Sequence, residues 1–346
     1  FMQFLKNQNL FSLMYNGKNL WDYEMKKNVR ENDNKIITEL ILPDGLKITN
    51  IAKKHGDNAY EWVNWFENSG TEATQIISDI WDCDYVVPFE KDEPLGWVAY
   101  EPDREKVMKV YAPVGSQWTG YEFYANPDKT VGNGFQSYIF PDHSHKSYSA
   151  SGGRSSEKNA PFFNVHRQGA GVIFAIGWTG QWQCDLDRTE NGLRIRTKIE
   201  DTNFRLFPGE KIRTSSVVIM PYTGSVAESQ NQWRRLVKNE FSLIGKPGRD
   251  KEGVFCAGIW GGMSDSGVLS RIHTIQENAL PFEDIWMDAG WHGTDNKPSP
   301  DEFEGNWPIY TGDWRINPIH HPNHLTDVAE AIQKAGLNYQ LSNYSG

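Results

Sequence analysis

Gly253-Val254-Phe255-Cys256-Ala257-Gly258-Ile259-Trp260-Gly261-Gly262 is an apolar run that ends in a tryptophan and two glycines. The elements behind it decide the fold. A helical pattern follows, with Val268, Ile272, Ile275 and Ala279 recurring at helical spacing. A second apolar run then closes on polar and aromatic groups, Ile285-Trp286-Met287-Asp288-Ala289-Gly290-Trp291. After a loop, Leu325, Val328, Ala329 and Ile332 give a second helical stripe that closes on Lys334 and Gly336. A third apolar run, Leu337 to Leu341, comes next. Strand, helix, strand, helix, strand with buried strands is the order of parallel βα units. Such units carry chemistry at the carboxyl ends of their strands, where Trp260, Asp288 and Trp291 stand.

The sequence upstream reads differently. From about Lys18 to Tyr222 short strands alternate with Gly, Pro and Asn punctuation. Asn34 to Ile51 makes two runs around the turn Pro43-Asp44-Gly45, and Tyr60 to Glu67 alternates aromatic with polar. In Gly192 to Glu200 one face is Leu193, Ile195, Thr197 and Ile199, and the other is Arg194, Arg196, Lys198 and Glu200. Gly171 to Ile176 and Arg213 to Met220 read as apolar strands. These signals predict a large antiparallel β-sandwich over residues 1–228. From Ser229 the period changes, and Trp233, Leu236, Val237 and Phe241 form one helical stripe. Residues 229–250 therefore read as a helical connector, ended by Lys246-Pro247-Gly248-Arg249-Asp250. Residues 251–346, with Glu252 near their start, read as the first part of a barrel. The predicted fold class is thus multidomain, a sandwich followed by an incomplete (β/α)8 TIM-type barrel of about three strands.

Composition bounds the function. A chain of 346 residues can hold more than one domain. Its net charge of −10, without a long basic cluster, argues against nucleic acid and anionic membrane surfaces as partners. No apolar run approaches the roughly 18 residues that span a bilayer. Phe1 to Leu13 lacks the charged start and cleavage site of a signal peptide, a pattern that leaves the compartment open. Cys83, Cys184 and Cys256 are isolated, so neither a disulfide framework nor a zinc cluster is indicated. Fourteen Trp and fourteen Tyr suit sugar rings, whose faces are apolar and whose edges carry hydroxyls. Large β-domains also use many aromatics, so composition leaves both readings open.

Particular segments carry a family resemblance. Ile285 to Trp291, Gly312-Asp313-Trp314-Arg315-Ile316-Asn317-Pro318 and His321-Pro322-Asn323-His324-Leu325 resemble the first part of the catalytic barrel of the melibiase-type α-galactosidases. These are glycoside hydrolases of the group that also contains raffinose synthases. Ser151-Gly152-Gly153-Arg154-Ser155-Ser156-Glu157, Pro161-Phe162-Phe163-Asn164 and Gly177-Trp178-Thr179-Gly180-Gln181-Trp182 resemble the same enzymes' N-terminal sandwich. The resemblance implies a retaining exo-glycosidase acting on terminal α-galactosides or related α-linked sugars, without cofactor or metal. Relatives often assemble as oligomers through the sandwich, which carries a homo-oligomer over as an expectation.

Each candidate residue has a structural alternative. A carboxylate at the end of a buried strand is costly unless it binds something, and in the family Asp288 is the first of two acids that grip sugar hydroxyls. It could instead cap its loop. Ala289 stands where the family has the second acid, so one hydroxyl loses its partner and a different hexose or a pentopyranoside becomes an alternative to galactose. Trp260 matches a tryptophan on the wall of the family's sugar pocket, or is a core aromatic at the rim, and Trp291 is expected to hold the sugar beside it. Asp313 and Trp314 lie in a polar loop after the second strand, where they either bind substrate or brace the loop. His320, His321 and His324 could suggest a metal, but the spacing is not that of a zinc helix and Pro322 interrupts it. His143 and His145 read as a solvated loop, and Gly132-Asn133-Gly134 as a turn.

Retaining hydrolysis needs two carboxyl groups about 5–5.5 Å apart. In the family these lie on the fourth and sixth barrel strands, which places the catalytic residues beyond Gly346. The family's pattern at the end of strand three is also replaced here by Ser342-Asn343-Tyr344-Ser345-Gly346. The expectation is a truncated product, a fragment or a chain completed by another polypeptide, inactive by itself. The competing readings are a non-catalytic carbohydrate-binding protein and a galactosyl-transferring relative.

Overall fold

The computed structural model describes residues 3–6, 8–56, 58–89, 108–113, 115, 135–140, 145–189, 192–247, 253–294, 297–299 and 307–342. The turn at Gly132 to Gly134, His143, the stretch from Gly248 to Glu252 and residues 343–346 lie outside the described residues. The chain divides into two compact units, Phe1–Ser242 and Leu243–Gly346. No helix among the described residues is long and apolar enough to cross a membrane.

The first unit is almost entirely antiparallel β-sheet. One sheet runs in the order His145–Ser149, Trp182–Thr189, Gly192–Ile199, Ile77–Pro88, Ser12–Tyr15, Lys18–Asn19, with Asn203–Phe204 also paired to Ile77–Pro88. The other runs Lys26–Asn32, Lys35–Ile41, Leu46–His55, Ala59–Asn68, Lys211–Thr223, Ala170–Gly177, Phe162–Arg167, Met108–Pro113, Phe135–Phe140. Side chains of both sheets meet in one core that includes Trp62, Tyr85, Phe163, Phe174, Trp182, Ile195 and Ile219. Burial follows the period of two. Leu193, Ile195 and Thr197 point inward, while Arg194, Arg196 and Lys198 lie on the wetter face. There Arg196 and Lys198 sit over the Trp81 ring, at 4.6 and 4.7 Å from its centroid.

Two bulges break that period and face one another. Thr197 pairs with Cys83 but Lys198 pairs with Trp81, so Asp82 is an extra residue in its strand. Arg213 pairs with Trp65 but Ser216 with Val63, so Thr214 and Ser215 together oppose Asn64. The fully buried Asp82 carboxylate accepts from the hydroxyl of Thr214, from Ser215 Oγ at 2.6 Å and N at 3.3 Å, and from Asn64 Nδ2 at 3.4 Å. Desolvation nonetheless pushes its pKa up to about 6, against the pull of these hydrogen bonds.

A helix, Val226–Leu236, closes this unit. Ser225 caps it by accepting from Glu228 N at 3.2 Å, while the Glu228 carboxylate takes the Ser225 N–H at 2.8 Å. The helix runs into a π-helical turn, Val237–Phe241. Leu236, Trp233 and Phe241 pack on Ile173, Ala175, Val218 and Met220 of the sheet. His55 holds the π turn, its Nδ1 3.1 Å from Glu240 Oε2 and its Nε2 2.8 Å from Glu61 Oε2.

The second unit contains a parallel sheet in the order Cys256–Ile259, Asp284–Met287, Asn338–Leu341. Helices Asp265–Glu277 and Thr326–Lys334 connect the strands and cover one face. The core joins Ala257, Ile259, Ile285 and Met287 of the strands to Val268, Ile272, Ile275, Val328 and Ile332 of the helices. On the other face Gly258, Trp286 and Gln340 are exposed. Asp284 is buried there by hydrogen bonds from Asn338 Nδ2 at 2.8 Å and Gln340 Nε2 at 2.5 Å. The first helix stops at Glu277, two residues before the end of the sequence pattern at Ala279. Asn278 caps it, and Ala279 takes a left-handed φ of 47°. Before the second helix, His324 and Leu325 are left-handed in succession, at 51° and 62°.

Candidate functional site

Past the last paired residues, the first two strands continue as loops built from glycine. Asp288 N–H donates to Ile259 O at 2.8 Å, and Ser342 N–H to Met287 O at 2.9 Å, so the ladder reaches one residue beyond each strand. A Cβ on Gly261 would lie 2.2 Å from Asp288 O, and one on Gly290 would lie 2.8 Å from Gly262 Cα. Gly290 also has a φ of +91°. The loops therefore pack backbone against backbone, an approach open only to glycine. Trp260 lies across them, since a Cβ on Gly262 would meet its indole at 2.7 Å.

Asp288 sits half-buried at this rim, its Oδ1 accepting the Ala289 N–H at 2.8 Å. Ala289 is 1% exposed. Trp260 meets the Trp307 ring edge-on, with centroids 6.1 Å apart. Trp291 turns inward: it is 4% exposed, belongs to the core of its unit, and donates Nε1–H to Ser342 O at 3.0 Å. It stacks on Trp314 at 6.1 Å and 22°, and His292 contacts both rings edge-on. Asp313 forms two hydrogen bonds with Arg315, at 2.7 and 2.6 Å, which draw its pKa down to about 2. The structure thus gathers Trp291 and Trp314 into one stack, sets Trp260 and Asp288 on adjacent strand ends, and turns Asp313 to Arg315.

Sequence reasoning overlooked His292. His292 is 2% exposed, and burial pushes its pKa down against the charge of Asp313. A hydrogen bond with the Tyr310 backbone also acts on the ring. Trp260 Nε1, Asn317 Nδ2 and His320 Nε2 are buried without a hydrogen-bond partner among the described residues. His320 Nδ1 faces Gly290 O, and the two ring nitrogens of His321 face Gly261 O and Asp265. Among the described residues no group of three His, Cys, Asp or Glu side chains is placed to hold an ion.

No protein-family model matches the chain. It is 24% identical over 215 residues to the α-galactosidase Mel36A of Lactobacillus acidophilus, covering 57% of this chain and 27% of that protein. It is also 24% identical over 198 residues to a probable α-galactosidase C of Aspergillus flavus, covering 54% and 25%. The matches span about a quarter of the length of these curated relatives. Among solved structures, GH36 α-galactosidase AgaA of Geobacillus stearothermophilus superposes with a TM-score of 0.65 at 16% identity, covering 97% of this chain and 45% of that one. The α-galactosidase of Lactobacillus brevis gives 0.67 at 14% identity, covering 97% and 44%. At these identities the superpositions establish shared fold. In sequence the resemblance of this chain is to the α-galactosidases, over the N-terminal part of the GH36 enzymes whose fold it shares.

Proposed function

We propose that the second unit is the first part of a (β/α)8 barrel, and that the rim of its strands binds the terminal sugar of an α-galactoside in a retaining glycosidase. One observation carries this reading: a carboxylate, Asp288, stands at the end of the second parallel strand, steered by the Ala289 N–H and beside Trp260. Asp288 accepts from sugar hydroxyls, Trp260 offers a ring face, and the Trp291–Trp314 stack supports the loop from behind. AgaA has been solved with raffinose and stachyose, which supports a terminal galactoside as the ligand class. The nucleophile and the acid/base carboxyl belong, by the resemblance, to barrel strands other than the three described.

Calorimetric titration of the 346-residue chain with galactose tests the reading. Binding should weaken roughly 10- to 100-fold in Asp288→Asn, as expected when a charge-assisted hydrogen bond of about 1.5–3 kcal/mol is lost. Because Ala289 stands where the family has its second acid, arabinose should bind nearly as well as galactose. An Asp288→Asn chain that binds galactose as tightly as the parent would end the proposal. Aryl α-galactoside hydrolysis by this chain would refute the assignment of the chemistry to other strands.

A further inference from the structure

The turn from Asn317 to His321 packs against the glycine loops of the site. Asn317 N–H donates to Trp291 O at 2.8 Å, and its Oδ1 accepts the N–H groups of Ile319 at 2.9 Å and His320 at 3.3 Å. That closes the turn and aims two successive imidazoles at two different loops. His320 Nδ1 lies 2.9 Å from Gly290 O. His321, fully buried, places Nε2 2.9 Å from Gly261 O and Nδ1 2.6 Å from Asp265 Oδ1 at the start of the first helix. Asp265 N–H in turn donates to His320 O at 3.2 Å.

Gly261 follows Trp260, and Gly290 lies two residues beyond Asp288. Both carbonyls are buried acceptors in loops that form no regular ladder, so a side chain must supply their donors. His321 does this for Gly261 through Nε2–H while its Nδ1 meets Asp265 Oδ1; a carbonyl and a carboxylate oxygen both accept, so the bridge needs a proton on each side of the ring. We propose that His320 and His321 are positioning residues, fixing the Gly261 and Gly290 carbonyls and so the separation of Trp260 and Asp288. The claim that this separation serves a sugar rests on the reading above; the claim that the histidines set it does not.

Two isosteric variants separate a directed donor from general packing. His321→Gln carries an amide N–H to about the Nε2 position and keeps the bond to Gly261, whereas His321→Asn reaches only the Nδ1 side. Hydrogen exchange of segments 256–263 and 284–292, with 60–68 of the sandwich as internal reference, reads the loops without ligand. Galactose titration reads the site. The proposal expects His321→Asn to speed exchange in both loop segments and lower galactose affinity roughly tenfold, while His321→Gln stays within about threefold of the parent. Equal behaviour of the two variants, or unchanged loop exchange in His321→Asn, overturns it. If the parent chain binds no galactose but loop exchange still separates Asn from Gln, the positioning role stands and the sugar reading falls.

Discussion

Adding one methyl group at Gly290 should disrupt the site more than its size suggests. Two terms contribute. A side chain at φ +91° incurs a conformational cost of about 1–2 kcal/mol. The new Cβ would also lie 2.8 Å from Gly262 Cα and N and 2.9 Å from Trp260 Cζ2, distances that two backbones cannot relieve without moving apart. Overpacking of that kind typically adds about 1–3 kcal/mol, giving about 2–5 kcal/mol in all. Gly312 provides the control: its φ is +98°, and a Cβ there meets nothing within 4 Å, so Gly312→Ala should show only the conformational cost. Hydrogen exchange of segment 284–287, measured in rising urea, reports the opening free energy of the parallel sheet in both variants. Gly290→Ala should be lower by about 1–3 kcal/mol and should bind galactose less well, because relief of the overlap displaces Trp260. If the two variants lose the same stability, backbone packing does not build this rim.

Asp82 predicts a pH dependence for the sandwich. Its folded pKa of about 6 lies above the ordinary carboxylate value of about 3.9, so the protonated form favours folding. That contribution is full below about pH 4 and is lost as pH rises through about 6, up to roughly 3 kcal/mol. Urea midpoints of the first unit should fall over this interval, and Asp82→Asn should flatten the slope. His324→Gly should stabilise the second unit by up to about 1 kcal/mol, because glycine adopts the φ of 51° without strain; an unchanged or lower midpoint would count against the left-handed assignment.

Strand identity was legible wherever one face is buried. Gly192 to Glu200 alternates in the sequence and folds as Gly192–Ile199 with the same faces, and the turn at Pro43 to Gly45 separates Lys35–Ile41 from Leu46–His55. The end of the second parallel strand was equally legible, because Asp288 interrupts an apolar run. What a period cannot convey are the bulges. Asp82 reads as one more polar residue in an alternating strand, yet the opposed bulge at Thr214 and Ser215 makes it a buried hub. Histidine roles were hidden for a different reason: the partners of His321 lie 56 and 60 residues away. Asp313, by contrast, finds its partner two residues on, and Asp-x-Arg in a polar loop was a readable signal that bracing competes with substrate binding. The inward turn of Trp291 depends on Ser342, which no local pattern links to it.

The capped helix from Val226 and its π turn cover apolar sheet positions that the antiparallel strands leave uncovered. An expression boundary drawn at residue 228, where the alternating sequence fades, would expose Ile173, Ala175, Val218 and Met220 as a sticky panel. Carrying the chain through Phe241 keeps that panel sealed, with His55 as its fastener.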